Sequence, residues 1–95
     1  MKFGLTNEQM EQICNKLLKS GVSKAVIFGS RAKGTHRCNS DIDIAVWGDG
    51  LYIERIFSEL DELPMPYKFD VVEYDKITHI ALREHIDRVG ISFLK

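Results

Sequence analysis

Two clusters of polar residues in the first half of the chain have the types and the spacing to do chemistry. Gly29 and Ser30 follow the short apolar run 25–28, and ten residues separate Ser30 from the pair Asp41 and Asp43. A Gly-Ser turn at the end of a buried strand can present backbone N–H groups and a hydroxyl to an anion. Two neighbouring carboxylates repel each other unless a cation lies between them, and oxygen ligands favour Mg²⁺ or Mn²⁺. A phosphate cradle beside a divalent-cation site indicates phosphoryl or nucleotidyl transfer.

The second cluster must be positioned by a strand, which we predict at 41–47. Side chains alternate between the two faces of a strand, so Asp41 and Asp43 point the same way. Ile42 and Ile44 then point into the core.

Periodicity and turn signals predict the other elements of the chain. Thr6 and Gln9 have the spacing of a capping box that opens a helix. The apolar spacing and the turn residues then predict helices at 7–20 and 51–62, strands at 25–28 and 67–74, and a last helix opened by Asp75 and ending near residue 89, followed by an apolar tail at 91–94.

A third carboxylate, Asp70, lies in the predicted strand 67–74 among Phe69, Val71 and Val72. A carboxylate in such surroundings is costly to bury unless something compensates it. The functional interpretation makes Asp70 a third acidic residue of the candidate site. The structural alternative is an exposed or salt-bridged residue.

Three cations lie close to the proposed phosphate cradle, namely Arg31, Lys33 and Arg37. They either approach a phosphate or form a solvated basic loop. His36 and Cys38 lie in the same segment, but two such residues are too few for a zinc site. The two cysteines of the chain, Cys14 and Cys38, make no disulfide framework.

Composition limits the classes of function. Ninety-five residues allow one domain, and the net charge of −1 provides no basic field to hold a long nucleic acid. No apolar run approaches the roughly 18 residues of a membrane span, and no signal peptide is apparent. We therefore expect a cytoplasmic protein that binds neither nucleic acid nor membrane.

The Gly29-Ser30 turn, the ten-residue spacing and the Asp41-x-Asp43 pair resemble the signature of the DNA polymerase β-like nucleotidyltransferase superfamily. In its short length, the chain resembles the minimal nucleotidyltransferases of that superfamily. The resemblance implies one α/β (α+β) domain over residues 1–95, with a small mixed sheet flanked by helices. It also implies ATP as donor and two Mg²⁺ ions. The implied metal ligands and catalytic residues are Asp41, Asp43 and Asp70, and the implied nucleotide-binding residues are Gly29, Ser30, Arg31 and Lys33.

Minimal nucleotidyltransferases are antitoxin-type partners of HEPN-domain toxins, so the resemblance implies a partner as well. AMP would be placed on a tyrosine of that toxin within a hetero-oligomer, as in a type VII-like toxin–antitoxin pair. Two alternatives stay open: a nucleotidyltransferase that acts on a small molecule such as an aminoglycoside, and a non-catalytic module that neutralises its toxin by covering it.

Overall fold

The fold is built on one sheet of four strands, and the computed structural model describes residues 3–37 and 40–94. The strands are β1 (Lys24–Phe28), β2 (Ile42–Trp47), β3 (Phe69–Glu73) and β4 (Ile91–Ser92). Their order across the sheet is β3-β2-β1-β4. β1 pairs antiparallel with both β2 and β4, whereas β2 and β3 are parallel. The mixed sheet of the predicted fold class is confirmed.

Helices cover both faces of this sheet. They are α1 (Asn7–Lys19), α2 (Ser30–Lys33), α3 (Ile53–Asp61) and α4 (Ile80–Val89), and a 3₁₀ turn covers Tyr74–Lys76. The predicted capping box of α1 is present, because Thr6 Oγ1 accepts from the Gln9 amide at 3.1 Å and Gln9 Oε1 accepts from the Thr6 amide at 2.9 Å. Among the residues described, no helix has the length and apolar character needed to span a membrane.

The two faces of the sheet bury different side chains. On the face covered by α1 and α3, the strands contribute apolar residues that include Ile27, Ile42 and Ile44. On the opposite face, Val26, Phe28 and Ala45 pack with Ile86 of α4. Because side chains alternate along a strand, the odd-numbered residues of β2, which include Asp43, belong to the α4 face. Ile42 and Ile44 are fully buried, as predicted.

The predicted start of the last helix is wrong. Asp75 does not cap it. Residues 74–76 form the 3₁₀ turn, and Ile77 is extended (φ −72°, ψ 122°), which lets its side chain pack against the α4 side of the sheet. The helix begins only at Ile80, where His79 Nδ1 accepts from the Leu82 amide at 3.3 Å.

The predicted apolar tail at 91–94 packs on the domain and contains a short strand. Ile91 and Ser92 form β4, which pairs with Ile27 and Val26 of β1. The interpretation of Cys38 as a loop residue falls outside the described residues.

Candidate active site

The strand pairing brings two of the three predicted carboxylates side by side. In the register of the sheet, Phe28 pairs with Asp43 and Asp43 pairs with Asp70. Since β2 and β3 are parallel, both aspartates lie near the beginnings of their strands, at the end of the sheet where antiparallel β1 finishes. Asp41 immediately precedes β2 at the same end. Asp41 and Asp70 are exposed, and Asp43 is half-buried.

The electrostatics of Asp43 reflect this crowding. Burial raises its pKa from the ordinary value of 3.8 to about 6, and the charges of Asp70 and Asp41 add to the rise. The positive charge of Arg31 opposes it. Asp43 therefore lies, half-buried, in a cluster of like charges.

Gly29 forms the turn between β1 and α2 and lies directly against this cluster. Its backbone (φ 76°, ψ −153°) is in a region that is essentially restricted to glycine. A Cβ atom added at Gly29 would overlap Oδ2 of Asp43. Glycine is therefore required both by the backbone conformation and by the close approach of the Asp43 carboxylate.

Ser30 and Lys33 are the first and last residues of the short helix α2. The helix is held by the Lys33 amide, which donates to the Gly29 carbonyl at 3.2 Å, and by the Thr35 amide, which donates to the Ser30 carbonyl at 3.0 Å. Ser30 is half-buried and Lys33 is exposed. Ser30 therefore directly follows the Gly29 turn that approaches Asp43, and Lys33 lies three residues further along α2.

Arg31, the remaining predicted nucleotide ligand, is placed differently from a surface cation. Its side chain is only 2% exposed, and it is the buried charged residue of the described chain. Nε and Nη2 donate to the Ser40 carbonyl at 3.2 and 2.7 Å, and Nη1 donates to the Phe3 carbonyl at 2.8 Å. The guanidinium carbon lies 4.6 Å from the centre of the Tyr67 ring. The alternative of a solvated loop residue is wrong for Arg31, because its charge is paired with main-chain oxygens.

The sequence alone did not indicate Ser40, Phe3 or Tyr67 as neighbours of this site. Ser40 and Phe3 contribute backbone carbonyls, which every residue carries, so no residue type or spacing could have indicated these two residues.

The chemistry of the carboxylates fits a divalent cation. Asp41, Asp43 and Asp70 offer only oxygen ligands, which Mg²⁺ prefers. Burial is the main cause of the raised pKa of Asp43, and a cation would relieve the repulsion from Asp70 and Asp41 that adds to it. Within residues 3–37 and 40–94, however, no three Asp, Glu, His or Cys side chains converge closely enough, as they stand, to hold one ion. The side chains would therefore have to rotate toward a cation as it binds.

Two of the three carboxylates, those of Asp41 and Asp70, lie on the exposed surface. Two cavities of the described chain measure about 450 and 1100 Å³, and neither is lined by these aspartates. The larger one lies between α1, α2 and β4, and Lys33 is part of its wall.

A glycine turn, a hydroxyl and clustered carboxylates at one end of a mixed sheet are typical of proteins that bind phosphates and handle nucleotides. Comparison with known proteins agrees with this. The family described as "Polymerase beta, Nucleotidyltransferase" matches residues 8–95. The chain belongs to this nucleotidyltransferase family, which confirms the predicted fold and enzyme class.

Two individual proteins resemble the chain. "Putative protein adenylyltransferase MJ0435" of Methanocaldococcus jannaschii is 40% identical over 92 residues, which are 93% of this chain and 97% of that protein. A chain in the crystal structure of a toxin–antitoxin with AMP-PNP superposes with a TM-score of 0.69 at 24% identity, over 90% of this chain and 73% of that chain. At this identity the second likeness shows the shared fold.

Proposed function

We propose that this chain transfers AMP from ATP to a tyrosine hydroxyl of a HEPN-domain toxin, in a cytoplasmic hetero-oligomer, and so acts as an antitoxin. Membership of the nucleotidyltransferase family supports the reaction class, and the name of the archaeal relative supports a protein acceptor. That a protein of the same fold has been crystallised as a toxin–antitoxin with AMP-PNP agrees with a toxin as partner. One domain over residues 1–95 would carry the whole site.

The observation that carries the proposal is the exposure of the carboxylate end of the sheet. Asp41 and Asp70 are exposed, and the described cavities lie elsewhere. Small-molecule sites are usually concave and bury most of the ligand. An open site of this kind suits an acceptor that brings its own surface, as a folded protein does.

The proposed roles follow from position. The Gly29 and Ser30 amides and the Ser30 hydroxyl would bind the β- and γ-phosphates, because they lie on the turn that approaches Asp43, and the exposed Lys33 ammonium at the end of α2 would reach the same phosphates. Asp41, Asp43 and Asp70 would hold two Mg²⁺ ions. When bound, these ions would neutralise the charge of the triphosphate and favour ionisation of the acceptor hydroxyl.

The bond changes of the proposed reaction balance without a further reactant. The tyrosine oxygen bonds to the α-phosphorus of ATP, the bond from that phosphorus to the bridging oxygen breaks, and pyrophosphate leaves. The proton of the hydroxyl passes to Asp70, which is exposed on the outer strand of the carboxylate cluster. Ser30 and Lys33 would stabilise the charge on the leaving pyrophosphate.

Intact-mass spectrometry of a co-expressed HEPN-domain partner, incubated with the chain, ATP and Mg²⁺, tests this proposal. We expect the partner to gain one or more AMP masses. Asp41→Asn should abolish the gain without unfolding the chain, because Asp41 is exposed. Asp49→Asn is the matched control, since Asp49 is also exposed and lies in the turn beyond the opposite end of β2.

The other outcomes separate the alternatives. A stable complex without any mass gain would contradict transfer and favour the non-catalytic binding module. Absence of both complex and mass gain would contradict the protein acceptor and favour a small-molecule acceptor. Protection of cells by the Asp41→Asn variant would show that neutralisation does not need the reaction.

A further inference from the structure

We infer that Arg31 is a positioning residue, which fixes the phosphate-binding turn relative to the carboxylates and does not itself bind the nucleotide. This inference rests on the proposed function for its effect on catalysis. It replaces the role that the sequence resemblance implied for this residue. The observation behind it is that Arg31 joins the two halves of the site through hydrogen bonds to the main chain.

The geometry of Arg31 gives it a place in both halves. It belongs to α2 and directly follows Ser30, so its backbone moves with the turn that carries Gly29 and Ser30. Its side chain donates two hydrogen bonds to the carbonyl of Ser40, the residue directly before Asp41. The guanidinium therefore connects Ser30, of the proposed phosphate cradle, to Asp41, of the carboxylate cluster.

The segment before β2 depends on this connection. The Ser40 amide donates to the Arg37 carbonyl at 3.1 Å, and the Arg37 amide donates to Ser40 Oγ at 2.8 Å. The Ile42 amide then donates to the Lys68 carbonyl at 2.9 Å and begins the pairing with β3. Arg31 is thus the side chain that attaches the start of this ladder to α2.

Two further contacts keep the guanidinium in this orientation. Nη1 donates to the Phe3 carbonyl, and the Tyr67 ring covers the guanidinium face. With the side chain 2% exposed, turning it toward a bound triphosphate would break three hydrogen bonds at once. Lys33, by contrast, is exposed and can approach a phosphate without such a loss.

Arg31→Met tests the inference, because methionine retains an unbranched apolar stem but has no donors or charge. Arg83→Met is the matched control: Arg83 also lies over a tyrosine ring, that of Tyr74, but it is exposed and belongs to α4. The first measurement is hydrogen exchange in the ligand-free protein. We expect the Ile42 amide to exchange at least tenfold faster in Arg31→Met than in Arg83→Met, whether or not the chain has transfer activity.

The second measurement is steady-state AMP transfer. A misplacement of about 1 Å in a reacting group costs on the order of 100-fold in rate, so we expect kcat to fall by about that factor while KM for ATP changes less than threefold. Arg31→Lys should recover part of kcat, because its ammonium can reach one of the two carbonyls. A tenfold rise of KM with kcat unchanged would overturn the inference and make Arg31 a triphosphate ligand.

The remaining outcomes are also decisive. Unchanged Ile42 exchange in a folded Arg31→Met would overturn the inference. If that variant does not fold, Arg31→Lys is used, which keeps the charge but not the paired hydrogen bonds to the Ser40 carbonyl: a several-fold faster exchange at Ile42 than in Arg83→Met supports the inference and an unchanged rate overturns it. An inactive wild type with altered exchange in Arg31→Met would defeat the proposed function alone.

Discussion

Replacing Asp43 by asparagine should stabilise the protein while abolishing its proposed activity. Asp43 is half-buried beside two other carboxylates, and its pKa is raised from 3.8 to about 6. In the folded chain its ionisation is therefore more costly than in the unfolded chain. Asparagine has nearly the same shape and carries no charge, so it removes that cost.

The size of the effect follows from the pKa. Each tenfold change in an ionisation constant corresponds to about 1.4 kcal/mol, so a rise from 3.8 to about 6 sets an upper limit of ~3 kcal/mol. Because Asp43 is partly exposed, solvent screening reduces this, and we expect ~1 to 1.5 kcal/mol at pH 7.5. For a chain of this size that corresponds to a rise in Tm of roughly 5 to 10 °C.

The sign of the pH dependence is fixed by the direction of the pKa change. Since the folded pKa lies above the unfolded one, the wild type has its full stability below pH 3.8 and loses the Asp43 contribution as the pH rises through about 6. Thermal unfolding followed by circular dichroism at pH 4 and pH 7.5, without divalent cations, measures this. The Tm difference between Asp43→Asn and wild type should be large at pH 7.5 and close to zero at pH 4.

Asp49→Asn, in an exposed turn, is the control and should leave Tm unchanged at both pH values. The reasoning is refuted if Asp43→Asn lowers Tm at pH 7.5, or if it raises Tm equally at both pH values. In the first case, favourable contacts of the charged Asp43 carboxylate would stabilise the folded chain. In the second, the gain would come from packing rather than from relief of repulsion.

Two further predictions concern the residues proposed to bind phosphate. Gly29→Ala should abolish AMP transfer in the folded fraction, because its Cβ would displace the Asp43 carboxylate. Gly34 is the control: it also has a positive φ, but nothing lies within 4 Å of a Cβ added there. Gly34→Ala should therefore lower Tm and keep the transfer rate per folded molecule. Equal activity in the two variants would contradict this account. Lys33→Ala should weaken ATP binding about tenfold in calorimetry, as expected for losing one charge-assisted contact, and keep its Tm. Lys24→Ala, at the far end of β1, is the control and should bind ATP like the wild type. Equal weakening of ATP binding in Lys33→Ala and Lys24→Ala would argue for a general charge effect.

The sequence allowed much of the fold to be predicted, because alternation and periodicity are local properties. The alternation in 41–47 indicated correctly that Ile42 and Ile44 are buried. The adjacency of Asp43 and Asp70 was expected only from the family resemblance, since the pairing of β2 with β3 depends on long-range register. The two-residue strand β4 is too short to give any periodic signal.

The errors arose where tertiary contacts override local preference. Helical spacing around Asp75 indicated a helix start, but Tyr74 stacks on Trp47 at 4.6 Å and its hydroxyl donates to Asp87 at 2.6 Å. These contacts, together with the packing of Ile77, accompany an interruption of the helix until Ile80. Such contacts join residues from different elements, so a single sequence cannot reveal them.

The burial of Arg31 and the repulsion at Asp43 belong to one electrostatic arrangement. Three carboxylates gather at one end of the sheet. Burial and the charges of the other two carboxylates raise the pKa of Asp43, and the guanidinium of Arg31 opposes that rise. One positive charge cannot balance three negative ones, so the cluster remains negative even though the whole chain has a net charge of only −1. The fold tolerates this excess because Asp41 and Asp70 stay in contact with water. The buried guanidinium of Arg31 can hold the backbone of the site in place without a divalent ion. The remaining negative charge of the cluster would still attract such an ion.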